Sequence, residues 1–169
     1  MLTETTQRRP RALLVDDDPL VLSILSSLLE ELGVECIQAR DARAGLDELI
    51  EGLLSLDLLI TDLVMPNMGG ERLVLAVREL GGERDLPIVV ASSFLDADRA
   101  QALRVAGANA VVDKSRGLGP VAAAARSLLA ARGRIGTAPG ELETAVQEVA
   151  EAEPQPVPLF RIPLARVRH

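Results

Sequence analysis

Four short apolar runs in this chain end on polar residues that a hydrophobic core has no packing reason to hold. Asp16, Asp17 and Asp18 follow residues 12–15, and Asp62 follows residues 56–61. Ser92 and Ser93 follow residues 88–91, and Asp113 and Lys114 follow residues 110–112. Brought to one edge, they would set several carboxylates, a hydroxyl and an ammonium within reach of one another. Crowded carboxylates repel, and an uncompensated cluster is costly to hold half-buried. A hard divalent cation offsets that cost, and Mg²⁺ takes a few oxygen ligands while keeping waters and commonly sharing a phosphate. An ammonium supplies positive charge to a carboxylate and an arriving phosphoryl oxygen, and a small hydroxyl can donate to another such oxygen. The set suits Mg²⁺-assisted phosphoryl transfer, in which the protein mainly positions groups and neutralises charge.

The spacing of the apolar residues says which elements must deliver these groups. Short runs at 12–15, 34–37, 56–61, 88–91 and 110–112 read as strands. Between them lie helical stripes. The first is Leu20, Val21, Ile24, Leu25, Leu28, Leu29 and Leu32, stopped by Gly33. The second is Leu46, Leu49, Ile50, Leu53 and Leu54, and the third is Leu73, Ala76, Val77 and Leu80, closed by Gly81-Gly82. A fourth helix holds Leu103 and Ala106, and a fifth holds Val121, Ala122, Ala125, Leu128 and Leu129. Five apolar strands, each followed by a helix, predict an α/β doubly wound parallel sheet with helices on both faces. In such a sheet, ligands bind outside the carboxyl ends of the strands, where the polar residues fall. Asp18 before Pro19 reads as a helix N-cap, which leaves Asp16 and Asp17 without a structural explanation.

Hydrophobic residues make up 48% of the 169 residues but aromatics only 1%, so the core must be aliphatic, which favours helices on a sheet over a β-sandwich. A net charge of −7 argues against a nucleic-acid backbone as partner. No apolar run approaches the roughly 20 residues of a membrane span, and the first residues hold no apolar signal segment. The single Cys36, in a largely apolar stretch, reads as a structural thiol, and a cytoplasmic location is expected. Residues 1–10 are mostly polar and read as a flexible leader. Residues 11–132 hold the whole αβ pattern, and 133–169 form an acidic, then proline-rich tail expected to be largely disordered.

In order and at these spacings, Leu14-Val15-Asp16-Asp17-Asp18-Pro19, the stretch from Ile60-Thr61-Asp62 to Met65-Pro66, Val90-Ala91-Ser92-Ser93, and Asp113-Lys114-Ser115 closely resemble a response regulator receiver domain. The resemblance covers about residues 11 to 132 and implies the flavodoxin-like strand order 2-1-3-4-5. It implies that Asp62 accepts a phosphoryl group and that Asp16 and Asp17 hold Mg²⁺ together with Asp62 and the Val64 backbone carbonyl. It further implies that Ser92 is the switch hydroxyl and that Lys114 contacts the phosphoryl group. The donor would be a sensor histidine kinase or a histidine phosphotransfer protein.

The same resemblance implies a signalling domain rather than an enzyme, capable at most of self-phosphorylation and slow self-dephosphorylation. Apolar Val64 and Phe94 stand where receivers control the hydrolytic water, so loss of the phosphoryl group is expected to be slow. Two positions depart from the pattern. Ser115 stands where proline usually follows the lysine in a cis peptide, and a cis bond without proline costs about 3 kcal/mol, so this loop is expected to differ. Val111 stands where an aromatic switch residue is common, so the usual ring movement cannot carry the signal.

No effector module follows the αβ pattern, so a stand-alone regulator is expected, acting on an unidentified protein, with no nucleic-acid or membrane partner, as a monomer or phosphorylation-dependent dimer. The rival reading is a receiver-like binding module that signals without phosphate. A phosphatase with an aspartyl-phosphate intermediate would need an acid where Val64 stands. For the tail, a disordered acidic linker with one helix around Leu142, Val146 and Val149 is the expected reading, and a docking peptide at residues 158–164 is the alternative.

Overall fold

The computed structural model describes residues 8–52, 54–80 and 86–136. In chain order the elements are β1 (Arg11–Val15), α1 (Pro19–Glu30), β2 (Glu35–Ala39), α2 (Ala42–Gly52), β3 (Leu58–Asp62) and α3 (Gly70–Leu80). They continue with β4 (Ile88–Ser92), α4 (Ala97–Val105), β5 (Ala110–Asp113), a 3₁₀ turn over Lys114–Arg116, and α5 (Gly119–Ala131). The strands form one sheet of order β2-β1-β3-β4-β5, every neighbouring pair parallel. This is the doubly wound, flavodoxin-like order that the resemblance implies.

Because successive side chains on a strand point to opposite faces, each strand feeds two cores. Leu13, Val15, Leu59, Ile88 and Val90 pack with Leu49 of α2, Leu73 and Val77 of α3, and Leu103 of α4. Ala12, Leu14, Leu58, Ile60 and Val89 pack with Leu22, Leu25 and Leu29 of α1 and Val121, Ala125 and Leu129 of α5. The central strands β3 and β4 are buried along their whole length, as unbroken apolar runs demand when both faces are covered.

Three expectations need correction. The buried face of α1 is Leu22, Leu25, Ser26 and Leu29, whereas Leu20 and Ile24 of the expected stripe are exposed. With leucine, isoleucine or valine at so many positions, more than one stripe satisfies helical spacing, and only the packing against β1 and α5 selects among them. The second and third strands run later than expected, so β3 ends on Asp62 itself. Residues 8–10, expected in the leader, belong to the folded body: Pro10 is buried and its carbonyl accepts from Glu35 N at 2.8 Å. The expected contributions of Leu53, Gly81 and Gly82 lie outside the described residues, as do residues 1–7 and the expected tail helix and docking peptide.

Asp57, just before β3, explains why residues 8–10 are held. It is buried among leucines, yet its carboxylate is heavily used. Arg8 donates from Nη1 to Oδ2 at 2.9 Å and from Nη2 to Oδ1 at 3.2 Å. The Arg11 backbone N–H donates to Oδ2 at 2.9 Å. Arg134, beyond α5, donates from Nη2 to Oδ2 at 3.3 Å, and its Nε lies 2.9 Å from Oδ1. One buried carboxylate thus ties both ends of the described chain to the amino-terminal edge of the sheet. Arg8 is nearly half exposed and contributes little, but Arg134 is mostly buried. Removing the carboxylate strands the Arg134 charge and the Arg11 N–H. Asp57→Ala should therefore cost about 2–4 kcal/mol, read as a lower urea midpoint with an unchanged slope.

Candidate functional site

At the opposite, carboxyl edge, β1, β3, β4 and β5 deliver the polar residues of the sequence motifs into one cavity of about 450 Å³. Asp16, Asp17, Asp62, Val64, Ser92 and Lys114 all line it, with Asp18, Ser93 and Phe94. The sheet register explains the convergence: Asp62 pairs with Ala91, and Ser92 pairs with Asp113, so the last residues of β3, β4 and β5 end side by side. Val21 and Leu118 add an apolar wall. Neither carries chemistry, and both were missed in sequence because only the approach of α1 and α5 to this edge makes them part of it.

Lys114 is the only lysine in the 169-residue chain, and its ammonium joins three strands. Nζ donates to Asp16 Oδ2 at 2.7 Å and lies 3.3 Å from Asp62 Oδ1. Burial works to lower its pKa, but hydrogen bonding to Asp16 and the charges of Asp16 and Asp62 outweigh it, so the ammonium is held above the ordinary lysine value. Each aspartate is also fixed by backbone. The Asp18 N–H donates to Asp16 Oδ1 at 2.9 Å, and the Leu63 N–H donates to Asp62 Oδ1 at 2.8 Å. Asp18 itself caps α1, accepting from Leu20 N at 2.8 Å, as expected. Of the two serines, Ser92 is fully buried and Ser93 exposed. Ser92 Oγ accepts from Phe94 N at 3.2 Å, which leaves its own proton free to be donated into the cavity.

The loop after Asp62 folds back tightly. Asn67 adopts φ 66°, a left-handed conformation that asparagine tolerates, and Gly70 N donates to Leu63 O at 3.1 Å. A Cβ at Gly70 would run into the Asp62 carbonyl oxygen, so glycine is required where α3 starts beside Asp62. Beyond Lys114 no cis peptide occurs among the described residues. The chain instead turns through 3₁₀ residues Lys114–Arg116, with Asp113 Oδ1 accepting from Ser115 N at 2.8 Å.

Asp16, Asp17 and Asp62 can each point one carboxylate oxygen so that all three lie within 4.8 Å of one another. Three carboxylates against one ammonium leave an excess of negative charge. Burial pushes the Asp62 carboxyl above the usual aspartate range; Lys114 opposes this, and Asp16 adds to it. The cluster is all hard oxygen, partly buried and short of positive charge, the kind of donor set that holds a divalent cation.

A buried acid at the end of a central parallel strand, faced by a lysine and flanked by an acidic pair, is thus assembled at the edge where the sequence motifs fall. Sequence comparison agrees: the family profile described as the response regulator receiver domain matches residues 12–126. The chain belongs to this family, the receiver domains of two-component response regulators.

Among curated proteins it is 39% identical over 82 residues to the two-component response regulator ORR26 of Oryza sativa subsp. japonica, an alignment covering 48% of this chain and 14% of that protein. It is 31% identical over 105 residues to the sensor protein GacS of Pseudomonas syringae pv. syringae, covering 60% of this chain and 11% of GacS. The chain thus matches only a small part of these longer relatives. Among solved structures, the response regulator TrrA from Thermotoga maritima, in complex with Mg²⁺-BeF, aligns with a TM-score of 0.61 at 27% identity, covering 71% of this chain and 99% of that one.

The raised pKa of Asp62 has a consequence for stability. A carboxyl whose folded-state pKa lies above its unfolded value holds its proton more tightly when folded, so its contribution to stability falls as pH rises through the folded-state value. Near neutral pH the ionised Asp62 is therefore a net destabilising group. Asp62→Asn should raise the thermal midpoint in metal-free neutral buffer. The gain should shrink as pH is lowered into the range where Asp62 is protonated.

Proposed function

We propose that Asp62 accepts a phosphoryl group from a phosphohistidine of a sensor histidine kinase or histidine phosphotransfer protein, in a Mg²⁺-dependent reaction. The observation that carries this reading is Lys114 Nζ held between Asp16 and Asp62 in a cavity that also receives Asp17 and Ser92. The acceptor is the Asp62 oxygen not held by the Leu63 N–H. It attacks phosphorus in line with the leaving nitrogen; the new O–P bond forms as the N–P bond breaks, and the donor imidazole keeps the electron pair.

Lys114, already charged and aimed at Asp62, neutralises charge on the transferring oxygens. The Ser92 hydroxyl, whose oxygen is held by Phe94 N, donates its free proton to another. The residues fit Mg²⁺: Asp16, Asp17, Asp62 and the Val64 backbone carbonyl would hold it. One oxygen from each of the three carboxylates already lies within 4.8 Å of the other two. The bound cation supplies the positive charge that the cluster lacks and orients the phosphoryl oxygens.

Output passes through protein contacts to a downstream protein, from a monomer or a phosphorylation-dependent dimer. The similarity to the sensor histidine kinase GacS of Pseudomonas protegens supports a kinase as donor. No helix among the described residues is long and apolar enough to cross a membrane, and the acidic chain offers no charge complement to nucleic acid. Val111, partly buried against the α2–α4 core, keeps a second reading in view, a module that signals without phosphate.

Incubation with acetyl phosphate and Mg²⁺ followed by intact mass measurement separates the two readings. The first expects a gain of one phosphoryl group, abolished by EDTA and by Asp62→Ala; an unchanged mass in the wild type would leave the second. With Val64 and Phe94 both exposed and apolar beside the cavity, neither of these two side chains can orient a hydrolytic water. Label on Asp62 should persist for minutes or longer in Mg²⁺, and a half-life of seconds would refute slow self-dephosphorylation.

A further inference from the structure

Lysine carries its charge on a flexible four-carbon stem, so its reach alone does not aim Nζ at Asp62; the backbone beneath it must be fixed. Upstream, Lys114 is anchored by the last pair of the β4–β5 ladder, Ser92 with Asp113. Downstream, the chain leaves the sheet at once into the 3₁₀ turn. Two hydrogen bonds close that turn: Ser115 N to Asp113 Oδ1 at 2.8 Å and Gly117 N to Lys114 O at 3.0 Å. Gly117 then takes φ 100°, a conformation open to glycine and strained for other residues. The first of these bonds needs both an acceptor on residue 113 and an N–H on residue 115, and a proline at position 115 could not donate it. Asp113 does not itself line the cavity.

We infer that Asp113 is a positioning residue for phosphoryl transfer: its side chain, by accepting the Ser115 N–H, sets the turn that aims Lys114 Nζ at Asp16 and Asp62. The inference rests on the reading of Asp62 as phospho-acceptor for its kinetic effect, though not for its geometry. The hydrogen bond also holds the Asp113 carboxyl below the usual aspartate range, so the side chain is an ionised acceptor at neutral pH.

Two variants separate the hydrogen bond from the charge. Asp113→Ala removes both, whereas Asp113→Asn keeps an oxygen that can accept from Ser115 N and removes only the charge. The phosphorylation rate with acetyl phosphate at saturating Mg²⁺ is expected to fall about three- to tenfold in Asp113→Ala, the range set by losing one hydrogen bond of ordinary net strength. It is expected to return close to wild type in Asp113→Asn.

Because the chain has a single lysine, protein labelled with ¹³C-lysine gives NMR signals from Lys114 alone. Its two ε-protons are expected to be inequivalent in the wild type and in Asp113→Asn, and to merge in Asp113→Ala as the stem becomes mobile. Thermal melting of each variant checks that it is folded. Asp113→Ala with wild-type rate and wild-type ε-proton signals would overturn the inference, and so would Asp113→Asn behaving like Asp113→Ala. A wild-type protein that gains no phosphoryl mass would instead defeat the phospho-acceptor reading, while the NMR comparison would still decide whether Asp113 orders Lys114.

Discussion

The ammonium of Lys114 is the point at which the sheet becomes a site. It comes from just beyond β5 and bonds the acid after β1 while facing the acid at the end of β3, so it links the central strands. Its charge offsets part of the repulsion among the carboxylates gathered at this edge. Its single charge does not balance them, and burial, with Asp16 adding to it, pushes the Asp62 carboxyl up against the pull of Lys114. The arrangement leaves an excess of negative charge of the kind a divalent cation offsets. The fold's aliphatic core serves this edge by fixing strand register, because a slip of one residue would turn Asp62 or Ser92 to another face.

Much of this was legible in the chain itself. Parallel strands buried on both faces read as continuous apolar runs, so a polar residue that ends such a run stands out, and Asp16, Asp62, Ser92 and Lys114 all do. Ser92 ends β4 and is buried, whereas Ser93 lies just outside the strand and is exposed. Asp18 as a cap was readable from the proline after it. These signals are local, and local signals survive in sequence.

What was not legible depends on contacts between distant residues. The face of α1 could not be chosen because the helix is apolar nearly all the way round, so its burial is decided by β1 and α5. Asp57 resembled an ordinary acid in a leucine-rich stretch, and its partners Arg8 and Arg134 lie 49 and 77 residues away. Ser115 was visible as a departure from the family pattern, but its meaning was not. A missing proline reads as a loss, whereas the structure shows that the N–H it restores is accepted by the neighbouring aspartate.

Asp57 also settles where the folded body can be joined to anything else. Residues 8 and 134 meet at one carboxylate on the amino-terminal edge of the sheet, while Asp62 lies at the carboxyl edge. A fused reporter or a surface tether placed at either residue would start on the side away from the cavity and leave its mouth clear. The closeness of the two exits also suits the domain to splicing into a host loop, or to being re-cut so that new ends open elsewhere.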